Sequence, residues 1–187
     1  MALNDSEQIY IVITQTGTIL SRMLKVITGA EYNHVSLGFR EDLKCTYSFG
    51  RLNAYNAFYG GFVVESVYHG TFKRFKNTKA MLLSLKVPPE KKREMTEYMS
   101  EIIKNRKSYH YNYRAFFLAP FHISLNRDKY FYCSEFVRDF LRRFGVEGAE
   151  GLPEIVEPMH FLNIPNSTVI YQGKLHDYVK EKTAVNL

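Results

Sequence analysis

Residues 130–137 read Tyr-Phe-Tyr-Cys-Ser-Glu-Phe-Val and join an extended aromatic run to an amphipathic pattern. After Cys133, apolar residues recur at the spacing of one helical face: Phe136, Val137, Phe140, Leu141 and Phe144. Gly145 then supplies a stop signal for a helix. The pattern predicts a short extended segment that enters a buried helix, with Cys133 in the first turn of that helix.

The position of Cys133 favours a reactive thiol. The first N–H groups of a helix have no partner within the helix, and the helix dipole places partial positive charge there. Both effects stabilise a thiolate and lower the thiol pKa below its usual value of about 8.5, and the same N–H groups can hold an oxyanion. The alternative is a small buried apolar residue, because Cys133 also lies on the apolar stripe.

A thiolate nucleophile needs an imidazole that serves first as base and then as acid. His34 opens an apolar strand at residues 33–38, and a rigid strand end can aim its ring at a helix terminus. His69 precedes a glycine and is typical of a turn, and the other histidines lie in aromatic or loop-like sequence: His110, His122, His160 and His176. His34 is therefore the candidate base, and its alternative is a structural histidine.

Together these two segments resemble the permuted papain-like hydrolases, which are circularly permuted relatives of the NlpC cell-wall peptidases and also resemble lecithin:retinol acyltransferase. In that family a T-G-x-x-x-x-H-V-G-like stretch carries the histidine, and the segment from Gln15-Thr16-Gly17 to Asn33-His34-Val35-Ser36-Leu37-Gly38 is similar to it. A Y-C-S-E-hydrophobic-V stretch carries the family's nucleophile and matches residues 132–137. The histidine also precedes the cysteine, as permutation requires. The resemblance covers roughly residues 9–145.

The resemblance implies an α+β protein of the permuted papain-like fold, in which an antiparallel sheet packs against the helix that carries the nucleophile. We expect residues 1–187 to form one such domain. Cys133 would attack an amide or ester and His34 would act as its base, which implies a hydrolase or an acyltransferase. The resemblance implies substrates such as bacterial cell-wall peptides or lipid esters and amides, and the expected cytoplasmic location favours small peptide, amino-acid or acyl compounds. The alternative is a non-catalytic module on the same scaffold that binds lipid or protein.

The third member of the site has two candidates, because an imidazole needs an acceptor on its second nitrogen. Glu65 lies inside the apolar segment 62–67, where a carboxylate is costly to bury unless it is paired. The alternative for Glu65 is a carboxylate that faces water. The family spacing instead indicates Ser48 or the neighbouring Tyr47, neither of which is an acid. We predict Glu65, because a carboxylate stabilises an imidazolium better than a hydroxyl does.

Five residues are expected to lie near the substrate, from the resemblance or from their place beside the nucleophile: Thr16, Gly17, Tyr32, Ser48 and Tyr132. Tyr132 has plain packing as its alternative. Glu135 is expected to be solvated or to pair with Arg138, three residues further on.

Periodicity predicts strands at 9–14, 34–39, 44–49, 62–67, 81–87 and 168–171, and helices at 19–28, 89–107 and 133–144. Residues 50–61 contain several Asn and Gly and predict a loop. Residues 108–126 are aromatic and irregular, and are expected to pack over the core or line a pocket. The last ten or so residues are polar and are expected to fray.

Composition limits the partners, cofactors and cellular locations that we expect. The net charge of +6 and a pI near 9.2 are compatible with a solvated basic surface or peripheral contact with an anionic membrane. Two cysteines are too few for a disulfide framework, and we expect a cytoplasmic protein without a secretory signal or transmembrane segment. The sequence contains no zinc-binding, Walker or dinucleotide-binding motif. We therefore predict no metal, no nucleotide cofactor and no nucleic-acid partner.

Overall fold

A computed structural model of the chain describes residues 8–15, 31–53, 56–119, 123–125 and 127–185. The described residues form an eight-stranded, mostly antiparallel sheet with helices. The α+β class predicted from the sequence is confirmed. None of the described helices combines the length and the apolar character that crossing a membrane requires.

The strands follow one another in the chain as β1 Gln8–Gln15, β2 His34–Gly38, β3 Thr46–Asn53, β4 Asn56–Glu65, β5 Lys79–Lys86, β6 His110–Tyr111, β7 Tyr130–Phe131 and β8 Ser167–Lys174. Their order across the sheet is β7-β6-β4-β3-β2-β1-β5-β8. Neighbouring strands are antiparallel except β6 and β7, which are parallel. β2, β3 and β4 are therefore adjacent in the sheet.

The helices are α1 Gly70–Arg74, α2 Pro89–Lys104, α3 Tyr113–Leu118, α4 Cys133–Arg143 and α5 Leu175–Val185. Buried residues of α2 and α4 belong to the larger of two hydrophobic cores. Buried residues of α1 and α5 belong to the smaller core. The predicted helix at 19–28 lies outside the described residues.

β1 separates the two cores, because its side chains alternate between the two faces of the sheet. Ile9, Ile11 and Ile13 belong to the larger core, whereas Tyr10 and Val12 belong to the smaller one. Burial on both faces explains why the strand reads as a continuous apolar run. The same run makes β1 a rigid partner for β2, which begins at His34.

The predicted loop at residues 50–61 is wrong. β3 continues to Asn53 and β4 already begins at Asn56, so most of this segment is a hairpin. Gly60 lies within β4, where a Cβ atom would come 2.6 Å from the Tyr113 hydroxyl and 2.9 Å from Cβ of Tyr111. The glycine permits close packing against another segment. In the sequence, the same glycine is indistinguishable from a turn residue.

The expectation of a frayed C-terminus is also wrong. The last described residues form α5, and its Leu175 and Tyr178 are buried in the smaller core. The Tyr178 hydroxyl donates a hydrogen bond to the Glu41 carbonyl at 2.8 Å. These contacts hold a helix whose sequence is otherwise polar.

A buried arginine connects α4 to the segment that follows it. Arg138 is 1% exposed and donates from Nε to the Asp139 carboxylate at 2.7 Å. Its Nη1 donates to the carbonyls of both Pro153 and Glu154. The charge is thus satisfied by a carboxylate and by two backbone carbonyls.

We expect Arg138→Ala to lower the free energy of unfolding by roughly 3 kcal/mol, because it removes a buried side chain together with its hydrogen bonds to residues 153 and 154. Denaturant unfolding followed by circular dichroism measures the change. The matched control is Arg93→Ala, since Arg93 is exposed and makes a long ion pair, of 4.0 Å, with Glu97. The control should change stability by less than about 0.5 kcal/mol, and equal losses in the two variants would contradict the prediction.

Candidate active site

Cys133 is the first residue of α4, as the sequence predicts. Tyr132 has an extended backbone before the helix, and its carbonyl accepts the first helical hydrogen bond, from Phe136, at 3.0 Å. The N–H groups of the first turn therefore have no carbonyl of a preceding turn to bind. Cys133 itself is 5% exposed.

His34 is the first residue of β2 and pairs with Thr14 of β1. Its Nε2 lies 2.9 Å from Oε2 and 3.1 Å from Oε1 of Glu65, the last residue of β4. The side chains of His34 and Glu65 are 17% and 20% exposed. Strands β2 and β4 are separated by β3, and a Cβ atom at Gly50 of β3 would lie 3.9 Å from Cε1 of His34. The glycine leaves space beside the imidazole.

Ser36 joins the same cluster, although the sequence analysis did not single it out. Its Oγ donates to Glu65 Oε2 at 2.6 Å and lies 3.3 Å from His34 Nε2. Residues two apart on a strand share a face, so the position of Ser36 relative to His34 was the available signal. Two donors now hold the Glu65 carboxylate in place.

The histidine and the glutamate stabilise each other's charged forms. Burial lowers the pKa of His34, but the Glu65 charge, together with hydrogen bonds, outweighs this effect and raises that pKa well above its usual value. Burial raises the pKa of Glu65, but attraction to His34 and hydrogen bonds from His34 and Ser36 bring that pKa below its usual value. The pair is therefore an imidazolium and a carboxylate near neutral pH.

The Cys133 thiol interacts with the other side of this pair. Burial raises the pKa of Cys133, but the neighbouring His34 side chain, the Val35 backbone N–H and the Ser134 hydroxyl together lower it below its usual value. His34 therefore interacts with Glu65 through Nε2 and also interacts with the Cys133 side chain. The order Glu65–His34–Cys133 is the arrangement in which a carboxylate orients an imidazole that serves a thiolate.

Of the other residues expected near the substrate, those that the structure describes have buried side chains. Thr16 and Gly17 lie outside the described residues. Tyr32 and Tyr132 are buried, at 3% and 7% exposed. Ser48 is fully buried, and its hydroxyl donates to the Val35 carbonyl at 2.6 Å. Its hydroxyl therefore joins β3 to β2, which is a different role from contact with substrate.

The alternatives for the third group are also placed by these contacts. With the Ser48 hydroxyl directed to a backbone carbonyl, the group that meets the second nitrogen of His34 is Glu65. Tyr47 is half-buried and packs against Phe39 and Phe62.

The expectation for Glu135 is wrong. Its side chain is buried rather than solvated, and Oε2 accepts the backbone N–H of Tyr132 at 3.2 Å. The closest ionic partner of Arg138 is Asp139, at 2.7 Å. A glutamate in the first turn of a helix can reach back to the residue before the helix, and this competes with pairing along the helix surface.

Comparison with protein-family models, with curated proteins and with solved structures found no match to this chain. The described residues contain no group of three His, Cys, Asp or Glu side chains placed to hold a metal ion. An assignment of function therefore depends on the geometry around Cys133 and on the sequence resemblance.

We expect Glu65→Gln to lower the pKa of His34, because the substitution removes the negative charge that favours the imidazolium. NMR titration of the ring protons measures this change directly. An unchanged His34 titration would contradict the assignment of Glu65 as its charge partner.

The same pair makes stability depend on pH. The raised pKa of His34 contributes stability that is complete below its usual value of 6.5 and is lost as pH rises through the folded-state pKa. The lowered pKa of Glu65 contributes stability that is complete above 4.5 and is lost as pH falls through the folded-state pKa. The stability difference between wild type and Glu65→Gln, measured by thermal unfolding, should therefore be largest between these two values. If the stability difference at about pH 9 equals the difference measured between these two values, the account is contradicted.

Proposed function

We propose that the protein is a cysteine hydrolase or acyltransferase of the permuted papain-like type, which cleaves an amide or ester bond. The observation that carries the proposal is the contact series Glu65–His34–Cys133, with the thiol at the start of α4. The three residues come from β4, β2 and α4, so the fold must bring together groups that are distant in sequence. A lowered thiol pKa beside a raised imidazole pKa describes a thiolate–imidazolium pair.

In the first half of the reaction, the Cys133 thiolate attacks the substrate carbonyl. A C–S bond forms, and the electron pair of the carbonyl π bond moves to oxygen. The His34 imidazolium then gives its proton to the leaving nitrogen or oxygen as the intermediate collapses. The products are a thioester on Cys133 and a free amine or alcohol.

In the second half, water or an acyl acceptor attacks the thioester. His34, now neutral, takes the proton of this nucleophile, and the C–S bond breaks to restore the thiolate. Glu65 stabilises the imidazolium whenever it forms and holds the ring in one orientation. The acceptor decides whether the net reaction is hydrolysis or acyl transfer.

The start of α4 supports the charge that develops in both halves. The intermediate carries negative charge on the former carbonyl oxygen, and backbone N–H groups at a helix start point towards such a group. The proposed substrates are small peptides, amino-acid derivatives or acyl compounds, within the wider range of peptides and lipid esters or amides that the resemblance implies. A non-catalytic binding module is the second candidate, favoured by the low exposure of Cys133 at 5%.

A thiolate titration tests the first requirement of the proposal. In a Cys45→Ser background the only remaining thiol is Cys133, and its ionisation is followed by ultraviolet absorbance against the Cys45→Ser/Cys133→Ser protein. We expect a midpoint below the usual thiol value of about 8.5, and a higher midpoint after His34→Ala. A normal midpoint that is insensitive to His34→Ala would favour the binding module.

Trapping of an acyl-enzyme tests the chemistry. We expect activated acyl and aminoacyl esters to add one acyl group to Cys133, detected by mass spectrometry of the intact protein and its peptides. Replacement of His34 by Ala should slow acylation by roughly 100-fold or more. Cys45→Ser is the matched control and should leave acylation unchanged, since Cys45 is exposed and lies outside the cluster. Equal labelling of both cysteines would argue against the enzyme.

A further inference from the structure

Glu135 is a buried carboxyl group that the proposed mechanism does not use. It lies in the first turn of α4, two residues after Cys133, and is 3% exposed. Buried carboxylates are costly unless they are paired or strongly hydrogen-bonded. Its carboxylate caps the start of the helix, and a glutamine could fill that role without a buried charge.

The contacts of Glu135 join the start of α4 to the start of α3. Oε2 accepts from the Tyr132 backbone N–H at 3.2 Å and lies 3.5 Å from Nδ2 of Asn112. Asn112 is also buried, donates from Nδ2 to the Leu125 carbonyl at 2.9 Å, and accepts from the Ala115 N–H at 3.2 Å. Its backbone N–H binds the Phe131 carbonyl at 2.9 Å. One carboxylate therefore contacts both the residue before Cys133 and the residue that caps α3.

The charge of Glu135 is only partly compensated. Burial raises the pKa of Glu135 to about 7, and the Tyr132 N–H, Arg138 and Asn112 oppose this shift incompletely. Arg138 is engaged elsewhere, by Asp139 and by backbone carbonyls. The titratable or charged groups around Glu135 are Tyr132, Cys133, Arg138 and Asp139 from its own helix and cap, Tyr111 from β6, and Glu154 from the segment after α4.

We propose that Glu135 is a positioning residue for Cys133, and that its ionisation regulates the reactivity of the thiol; this rests on the proposed role of Cys133 as the nucleophile. The ionised carboxylate makes a charge-assisted hydrogen bond to the Tyr132 N–H, which is about twice as strong as a neutral one. Tyr132 is bonded directly to Cys133, so the first turn of α4 is held most firmly in this state. Protonation weakens the bond and loosens the turn.

The test compares wild type with Glu135→Gln, both carrying Cys45→Ser. A glutamine keeps the shape and an acceptor oxygen but cannot ionise, so it stands for the protonated state. The measured quantity is the rate of Cys133 alkylation by iodoacetamide in wild type divided by the rate in Glu135→Gln, from about pH 6 to about pH 8.5. Both proteins keep Cys133 and His34, so the ratio reports the difference that the residue at position 135 makes.

We expect a ratio near one at the acidic end that rises about threefold or more through neutral pH. A ratio that stays constant across the range, at one or at any other value, would overturn the proposal, because it would leave Glu135 with a structural role or none. The control is Glu97→Gln, an exposed glutamate of α2, which should give a ratio of one throughout.

A second measurement does not depend on thiol chemistry. Because the folded-state pKa of Glu135 lies above its usual value of 4.5, its contribution to stability is complete below 4.5 and is lost as pH rises through about 7. The thermal midpoint of wild type relative to Glu135→Gln should therefore fall over this interval. A constant difference would show that Glu135 does not titrate there and would also overturn the proposal.

The failure of this proposal and the failure of the proposed function are distinguishable. If Cys133 is not an activated nucleophile, His34→Ala leaves its thiolate titration unchanged, whatever Glu135 does. If Cys133 is activated but Glu135 has only a structural role, His34→Ala raises the thiol midpoint while the alkylation ratio stays constant. Support for both proposals requires a shift in the first experiment and a rising ratio in the second.

Discussion

The site depends on the ion pair between His34 and Glu65. Both groups are largely withdrawn from water, which opposes the charge on each, and each stabilises the charged form of the other. Ser36 adds a hydrogen bond of 2.6 Å to the carboxylate, which leaves that carboxylate better satisfied than a single partner allows. The His34 side chain, through its hydrogen bond and then its charge, is in turn the main influence that lowers the pKa of Cys133 against the effect of burial. Removal of Glu65 would thus change the pKa of Cys133 indirectly, through its effect on His34.

The sheet makes this pair possible by placing small residues between its members. His34 and Glu65 belong to strands that are separated by β3, and an extended strand with large side chains would keep them apart. At this place β3 carries Gly50 beside the imidazole, and Ser48, whose hydroxyl is directed to the Val35 carbonyl. The double-faced core around β1 fixes the register of β2 and so the position of His34. Packing and electrostatics therefore act on the same few residues.

Sequence predicted the local features of the site better than its long-range contacts. The apolar stripe after Cys133 defined the start of α4, and β-branched or alternating residues defined β1, β2 and β5, because periodicity reports burial along one element. The choice of Glu65 over Ser48 followed from the cost of an unpaired buried carboxylate, and the contacts agree with it. The hairpin at 50–61 was missed because Gly60 is required by close packing against tyrosines of a distant segment and not by a turn. Glu135 was misjudged because a spacing pattern cannot show that Asn112 lies beside it.

The two buried glutamates show how far environment decides chemistry in this protein. Glu65 faces an imidazole and a hydroxyl, and its pKa falls; Glu135 faces mainly backbone and an amide, and its pKa rises to about 7. The same functional group thereby has its ionised form favoured where it faces His34 and its neutral form favoured at the start of α4. Opposite shifts of this kind separate a group that holds its charge near neutral pH from a group that can respond to pH. A thiol whose partner is oriented by Glu65 and whose helix start is held by Glu135 would be most reactive when both carboxyl groups are charged.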